Sequence, residues 1–179
     1  MLDCADTVLV VVDIQEKLVR AMHAREELIL KARQLVQGAR ALNLPILCTE
    51  QNPKGLGPTV PEIAAAMPGV QPISKFSFGC GACEGFVHAL QAAGRRNVLA
   101  AGIETHVCVY QTTRELLEKG YHVEVAADAC SSRTPQNKQI GLDKMRDAGA
   151  AVTSVETALF ELLKVAEGPL FKEILKILK

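Results

Sequence analysis

Val98-Leu99-Ala100-Ala101-Gly102-Ile103-Glu104-Thr105-His106-Val107-Cys108-Val109 decides how this chain folds. Val98 to Ala101 is a continuous apolar run, as expected of a strand buried on both faces. Gly102 opens a tight turn. Tyr110-Gln111-Thr112-Thr113-Arg114-Glu115-Leu116-Leu117 then reads as a helix that runs to Lys119, with Gly120 just past its end. Cys108 falls in or near the first turn of that helix. Unpaired N–H groups and the positive end of the helix dipole favour a thiolate there, and the thiolate is the nucleophilic form of cysteine. A small buried cysteine packing the helix on the sheet would fit the same position, because free cysteine is among the most buried residue types.

Outward from this segment the same alternation continues. Thr7 to Val12 is a β-branched and leucine run, followed by a helix from about Glu26 to Leu42 with Leu28, Ala32, Leu35, Val36 and Ala39 on one face. Pro45 to Thr49 reads as a second strand, Glu50 to Pro58 as a loop rich in turn residues, Val60 to Met67 as a short helix, and Val70 to Ser74 as a third strand. Glu84 to Ala93 is helical with Gly94 behind it. After the central segment come a strand at His122 to Ala126, a helix at Pro135 to Ala148 and a strand at Ala151 to Ser154. Helical pieces near Glu156 to Val165 and Pro169 to Leu178 complete the order. Strands alternating with helices predict one domain over residues 1–179, a three-layer α/β/α sandwich with a six-stranded, mostly parallel, Rossmann-like sheet.

The 179 residues suffice for one sizeable core, and 49% hydrophobic against 22% charged residues is an ordinary globular balance. Twenty basic and twenty acidic residues cancel, so no global field favours nucleic acid or an anionic membrane. No apolar stretch approaches a bilayer span, and the N-terminus lacks the basic region of a signal peptide. A cytoplasmic protein is expected, its six cysteines (Cys4, Cys48, Cys80, Cys83, Cys108, Cys130) mostly reduced.

In open α/β sheets ligands bind beyond the carboxyl ends of the strands, near the point where strand order reverses. Strand one ends at Asp13, strand three at Lys75, and strand four leads to Cys108. A carboxylate, an ammonium and a thiol thus converge on one edge. Asp13 suits a general base that takes the Cys108 proton, returns it to a leaving group and then activates water. Lys75 suits a group that keeps Asp13 and the thiolate charged. N–H groups at the start of the Cys108 helix would face a developing oxyanion. Taken singly, Asp13 could equally cap a helix and Lys75 could extend along the surface.

The chain resembles the isochorismatase-like cysteine hydrolases. Val11-Val12-Asp13-Ile14-Gln15, Lys75-Phe76-Ser77-Phe78 and Gly102 to Val109 carry the likeness, which covers nearly the whole chain. Thr49 to Glu62, Asp128 to Arg133 and Phe171-Lys172-Glu173-Ile174 resemble the isochorismatase domain-containing proteins within that family. The resemblance implies a catalytic triad of Asp13, Lys75 and Cys108 with no metal and no cofactor. It also implies a non-proline cis peptide at Ile103–Glu104, with the N–H groups of Glu104 and Cys108 toward the oxyanion, and a homo-oligomer. Nicotinamidases of this family carry an Asp-x-His metal motif after strand two; here that place reads Cys48-Thr49-Glu50-Gln51-Asn52. True isochorismatases lack the nucleophilic cysteine. Together these departures predict thiol-mediated hydrolysis of an amide-like C–N bond in a small molecule.

Gln15, Gln51, Phe76 and Phe78 are candidate substrate-pocket residues, and His106 a candidate for the pocket rim or a subunit contact. Cys80-Gly81-Ala82-Cys83 has redox spacing, but no second pair completes a zinc site. A redox protein or sensor using Cys80, Cys83 or Cys108, and a non-catalytic binding protein on the same fold, are the alternatives.

Overall fold

In the computed structural model, which describes all 179 residues, Val12 and Gly102 face each other at the centre of one parallel sheet. The strands are β1 (Thr7–Val12), β2 (Ile46–Gln51), β3 (Ile73–Lys75), β4 (Asn97–Ile103), β5 (His122–Ser131) and β6 (Ala151–Thr153). The helices are α1 (Glu16–Val19), α2 (Arg25–Ala41), α3 (Pro53–Leu56), α4 (Pro61–Ala64), α5 (Glu84–Ala93), α6 (Tyr110–Glu118), α7 (Pro135–Asp147), α8 (Val155–Leu163) and α9 (Gly168–Leu178). A π-helical turn, Thr105–Val109, precedes α6.

The sheet order is β3-β2-β1-β4-β5-β6, with every neighbouring pair parallel. The order reverses between β1 and β4, which opens a crevice beyond their carboxyl ends. β1 shows why the sheet is covered on both faces. Leu9 and Val11 join one buried cluster, with residues of α2, α4, α8 and α9. Val8, Val10 and Val12 join the other, with residues of α5, α6 and α7. Alternate residues of a strand point to opposite faces, so an unbroken apolar run suits a strand with helices on both sides.

Two β-to-α turns are fixed by hydroxyl caps. Thr134 accepts from the Asn137 N–H at the start of α7, and Ser154 accepts from the Thr157 N–H at the start of α8. Each such cap is worth about 1 kcal/mol. Gly102 has φ 143°, and a Cβ there would lie 2.1 Å from the Val12 carbonyl oxygen. The close approach of β1 and β4 at the crevice therefore needs glycine.

The sequence reading misplaces some boundaries. The expected Glu50–Pro58 loop begins as the end of β2 and contains α3, while α1 was not anticipated. β5 extends to Ser131 rather than ending at Ala126, because a register shift between Ala100 and Gly102 lets Cys130 and Ser131 pair with Gly102 and Ile103. Helix expected from Val60 to Met67 narrows to α4, and the third strand begins only at Ile73.

Candidate active site

Asp13 follows β1 directly, at φ 52°, a left-handed conformation that Asp tolerates better than most side chains. Lys75 closes β3, two strands away, and reaches past the end of β2. Its Nζ lies 2.6 Å from Asp13 Oδ2, and neither side chain has any solvent exposure. The ammonium also donates to the Ser77 carbonyl at 3.0 Å and the Phe78 carbonyl at 2.8 Å. A lysine has three N–H donors, and here each has an acceptor. Burial works against the Lys75 charge, but the Asp13 carboxylate, through its charge and its hydrogen bond, outweighs it and raises the lysine pKa above the ordinary value.

The second Asp13 oxygen is held too. Thr49 Oγ1 donates to Asp13 Oδ1 at 2.7 Å. Sequence reasoning missed this residue. The available signal was a hydroxyl within the otherwise apolar Ile46-Leu47-Cys48-Thr49 run, in register with Val12. An isolated buried carboxylate costs several kcal/mol, and these bonds to both oxygens offset that penalty.

Cys108 is the fourth residue of the π-helical turn, 4% exposed. Burial pushes its thiol up to about 12, the Asp13 charge adds to this, and Lys75 only partly counters them. This corrects the expectation of a helix-start thiolate. The loss of water around the sulfur and the nearby Asp13 carboxylate both favour the thiol over the thiolate. The Sγ also lies 3.8 Å from Gln51 Oε1, to which the thiol donates. The Ile103–Glu104 peptide just ahead of this turn is cis.

The other candidates divide. Gln15 is buried, and its amide donates to the Gln51 carbonyl at 3.0 Å and the Gly57 carbonyl at 2.7 Å while its oxygen accepts the Gln51 N–H at 2.8 Å. It ties the ends of β1 and β2 to the following loop rather than presenting an amide to a ligand. Phe76 is 83% exposed and Phe78 is 51% exposed, on the loop after Lys75. His106 Nδ1 sits 3.0 Å from Ser132 Oγ, so the ring is tied to the end of β5 and not to Cys108. Ile103 is buried, and the Glu104 carboxylate pairs with Arg133 Nε at 3.0 Å. Cys80 is buried with its Sγ 3.7 Å from Thr49 Oγ1, whereas Cys83 is partly exposed and meets the Ser74 carbonyl at 3.8 Å. Both are free thiols.

No three His, Cys, Asp or Glu side chains are grouped to hold a metal ion. A cavity of about 490 Å³ lies at the opposite end of the sheet, lined by Asp6, Arg96, Asn97, His122 and Glu124 among others, and none of Asp13, Lys75 or Cys108 borders it. Cavity size does not locate this chemistry.

Residues 7–157 match the model of the isochorismatase domain. The chain belongs to the isochorismatase family. It is 40% identical to isochorismatase domain-containing protein 2 of Xenopus laevis over 172 residues, 96% of this chain and 83% of that one. It is 40% identical to isochorismatase domain-containing protein 2A of Mus musculus, over 97% of this chain and 82% of that one. Its isochorismatase fold superimposes on the MAR1 ribonuclease of Caenorhabditis elegans with a TM-score of 0.93 at 36% identity, covering 98% and 91% of the two chains. It superimposes equally, TM-score 0.93, on the Escherichia coli YcaC gene product, an octameric hydrolase of unknown specificity, at 26% identity over 98% and 88% of the chains. The YcaC protein of Pseudomonas aeruginosa, solved with hexane-2,5-diol and covalent acrylamide, gives TM-score 0.93 at 29% identity over 98% and 90%. The fold is that of isochorismatase-family hydrolases.

Proposed function

We propose that this chain is a metal-independent cysteine hydrolase that cleaves an amide-like C–N bond of a small molecule through a thioester. The observation that carries the proposal is the fully buried Lys75–Asp13 ion pair beside the Cys108 thiol, at the reversal of strand order. Because the thiol is protonated at rest, it needs a base, and Asp13 is the carboxylate next to it. Asp13 accepts the Sγ proton as sulfur attacks the substrate carbonyl carbon. The C–N bond then breaks, and Asp13 returns the proton to the leaving nitrogen. Water next attacks the thioester, giving its proton to Asp13, and the C–S bond breaks to release the acid and regenerate the thiol. Lys75 donates to Asp13 throughout and holds the loop bearing Phe76 and Phe78 through its bonds to Ser77 and Phe78. The family resemblance assigns the oxyanion to the N–H groups of Glu104 and Cys108. A positioned base of this kind contributes about 10²–10⁴-fold to rate.

Covalent acrylamide in the Pseudomonas aeruginosa relative is consistent with a nucleophilic site in this family. The octameric Escherichia coli relative supports a homo-oligomer here. The test is a panel of small amides and ureides on the wild type, with intact-mass detection of an acyl adduct and peptide mapping to locate it. An adduct on Cys108, absent in Cys108→Ala, is the expected result. Turnover retained by Cys108→Ala would overturn the mechanism.

A second reading comes from the name of the Caenorhabditis elegans relative, a ribonuclease. Nucleic-acid affinity rests mainly on cations against phosphates, and this chain has 20 basic and 20 acidic residues. RNA cleavage by the purified wild type that disappears in both Asp13→Asn and Cys108→Ala would favour that second reading over amide hydrolysis.

A further inference from the structure

Thr49 has one hydroxyl proton, and Asp13 Oδ1 takes it at 2.7 Å. An ionised carboxylate only accepts, so the direction of that bond is fixed. Cys80 Sγ lies 3.7 Å from the same hydroxyl oxygen. With the Thr49 proton committed to Asp13, the thiol must be the donor. Cys80 suits that role. It is fully buried, and burial first of all raises its thiol to about 11 despite nearby Lys75, so its proton stays in place. Its backbone is anchored as well, since the Cys80 N–H donates to Thr112 Oγ1 on α6 at 3.0 Å and the Gly81 N–H to Glu115 Oε2 at 2.6 Å. Thr49 itself is fully buried, and its carbonyl accepts the Asp13 N–H at 3.2 Å.

We propose that Cys80 and Thr49 form an orienting relay, thiol to hydroxyl to carboxylate, that makes Thr49 a positioning residue for the proton transfer between Cys108 and Asp13. The inference rests on the proposed role of Asp13 as base. It gives Cys80, the first cysteine of the Cys80-Gly81-Ala82-Cys83 segment, a non-redox task. The relay pins one carboxylate oxygen while Lys75 pins the other, so Asp13 cannot rotate and both oxygens are stabilised as acceptors. The charged and titratable groups facing Asp13 are Lys75 from β3, Cys108 from the π-helical turn, Cys80 from the loop before α5 and Cys48 from β2. Of these only Lys75 is cationic. Loss of the Thr49 donor therefore leaves the carboxylate with one strong partner and makes it hold a proton more tightly.

The test uses iodoacetamide, which reports on the Cys108 proton without an identified substrate. Sulfur displaces iodide, the C–S bond forms as the C–I bond breaks, and the thiol proton passes to Asp13 and on to solvent. Alkylation of Cys108 in the full chain is followed by mass spectrometry across a pH series, with thermal melting on each variant. In wild type the rate should rise along an Asp13-dependent limb at low pH. Thr49→Val, which keeps the shape and removes the hydroxyl, should move that limb up by about one pH unit, a tenfold loss of rate on the limb. Thr49→Ser should restore it, and Cys80→Ala should move it in the same direction by less. A uniform rate change with the limb in place, or an unrestored limb in Thr49→Ser, would overturn the relay. The Asp13→Asn variant separates the two proposals. If it keeps the wild-type limb, the base assignment fails. If it abolishes the limb while Thr49→Val leaves it unmoved, the relay alone fails.

Discussion

Lys75 Nζ stands 2.6 Å from Asp13 Oδ2 although 62 residues separate them in sequence. The two side chains are wholly shielded from solvent, and each supplies what the other needs to remain charged there. Removing one partner of a buried pair leaves an uncompensated charge, whereas removing both does not. Lys75→Met should lower the unfolding free energy by about 3–5 kcal/mol. The double variant Lys75→Met with Asp13→Asn should recover part of that loss. Urea unfolding of wild type, the two single variants and the double variant measures it. A Lys75→Met midpoint equal to wild type would mean that the pair does not carry this stability.

Asp13→Asn should slow turnover by about 10²–10⁴-fold on a substrate found in the amide and ureide panel, a loss far beyond what its melting temperature explains. Asparagine retains the shape and can still accept from Thr49, but it cannot take the Cys108 proton. Near-normal turnover would exclude Asp13 as the base.

The buried thiols set an alkaline limit. Burial raises Cys48, Cys108 and Cys130 to about 12 and Cys80 to about 11, from an ordinary value of about 9. A group that binds its proton more tightly when folded contributes stability that is complete below the unfolded pKa and lost as pH rises through the folded one. Unfolding free energy should therefore hold up to about pH 9 and then fall, by about 1.4 kcal/mol per pH unit for each thiol still protonated only in the folded state. Lys75, also raised, acts in the same direction at higher pH. Urea midpoints measured on either side of pH 9 check this; Cys130→Ala should show the shallower fall.

Gly141 of α7 packs on the turn that carries the thiol. A Cβ there would lie 2.8 Å from the His106 Cα and N and from the Thr105 carbonyl carbon, all backbone atoms. Gly141→Ala should displace the π-helical turn, cost about 1–3 kcal/mol and slow Cys108 alkylation. Unchanged melting temperature and alkylation rate would mean that the turn accommodates the methyl group.

Gln15→Ala removes three hydrogen bonds, two to the Gln51 backbone at the end of β2 and one to the Gly57 carbonyl in the loop beyond it. It should lower the melting temperature by the equivalent of about 1–3 kcal/mol. A raised KM with an unchanged melting temperature would instead return Gln15 to the substrate-contact role suggested by its place in the sequence.

The sequence by itself determined the architecture and placed Asp13, Lys75 and Cys108 at one edge of the sheet. Apolar runs such as Thr7–Val12 and Val98–Ala101 specify strands covered on both faces, because only a sheet between two helical layers buries every side chain. Gly94 and Gly120 mark helix ends locally. A charged residue at the end of such a strand, as at Asp13 after β1, is conspicuous for the same reason. Tertiary structure decided what these groups are. Cys108 lies near a helix start, yet desolvation and Asp13 make it a thiol, and both effects come from segments distant in the chain. Thr49 gains its partner through the register of β2 against β1, Cys80 through the loop that Thr112 and Glu115 hold, and Gln15 through a loop it closes. Local pattern sets which face a residue occupies. Which atoms meet on that face depends on strand order, register and the exclusion of water, and none of these is a local property of the chain.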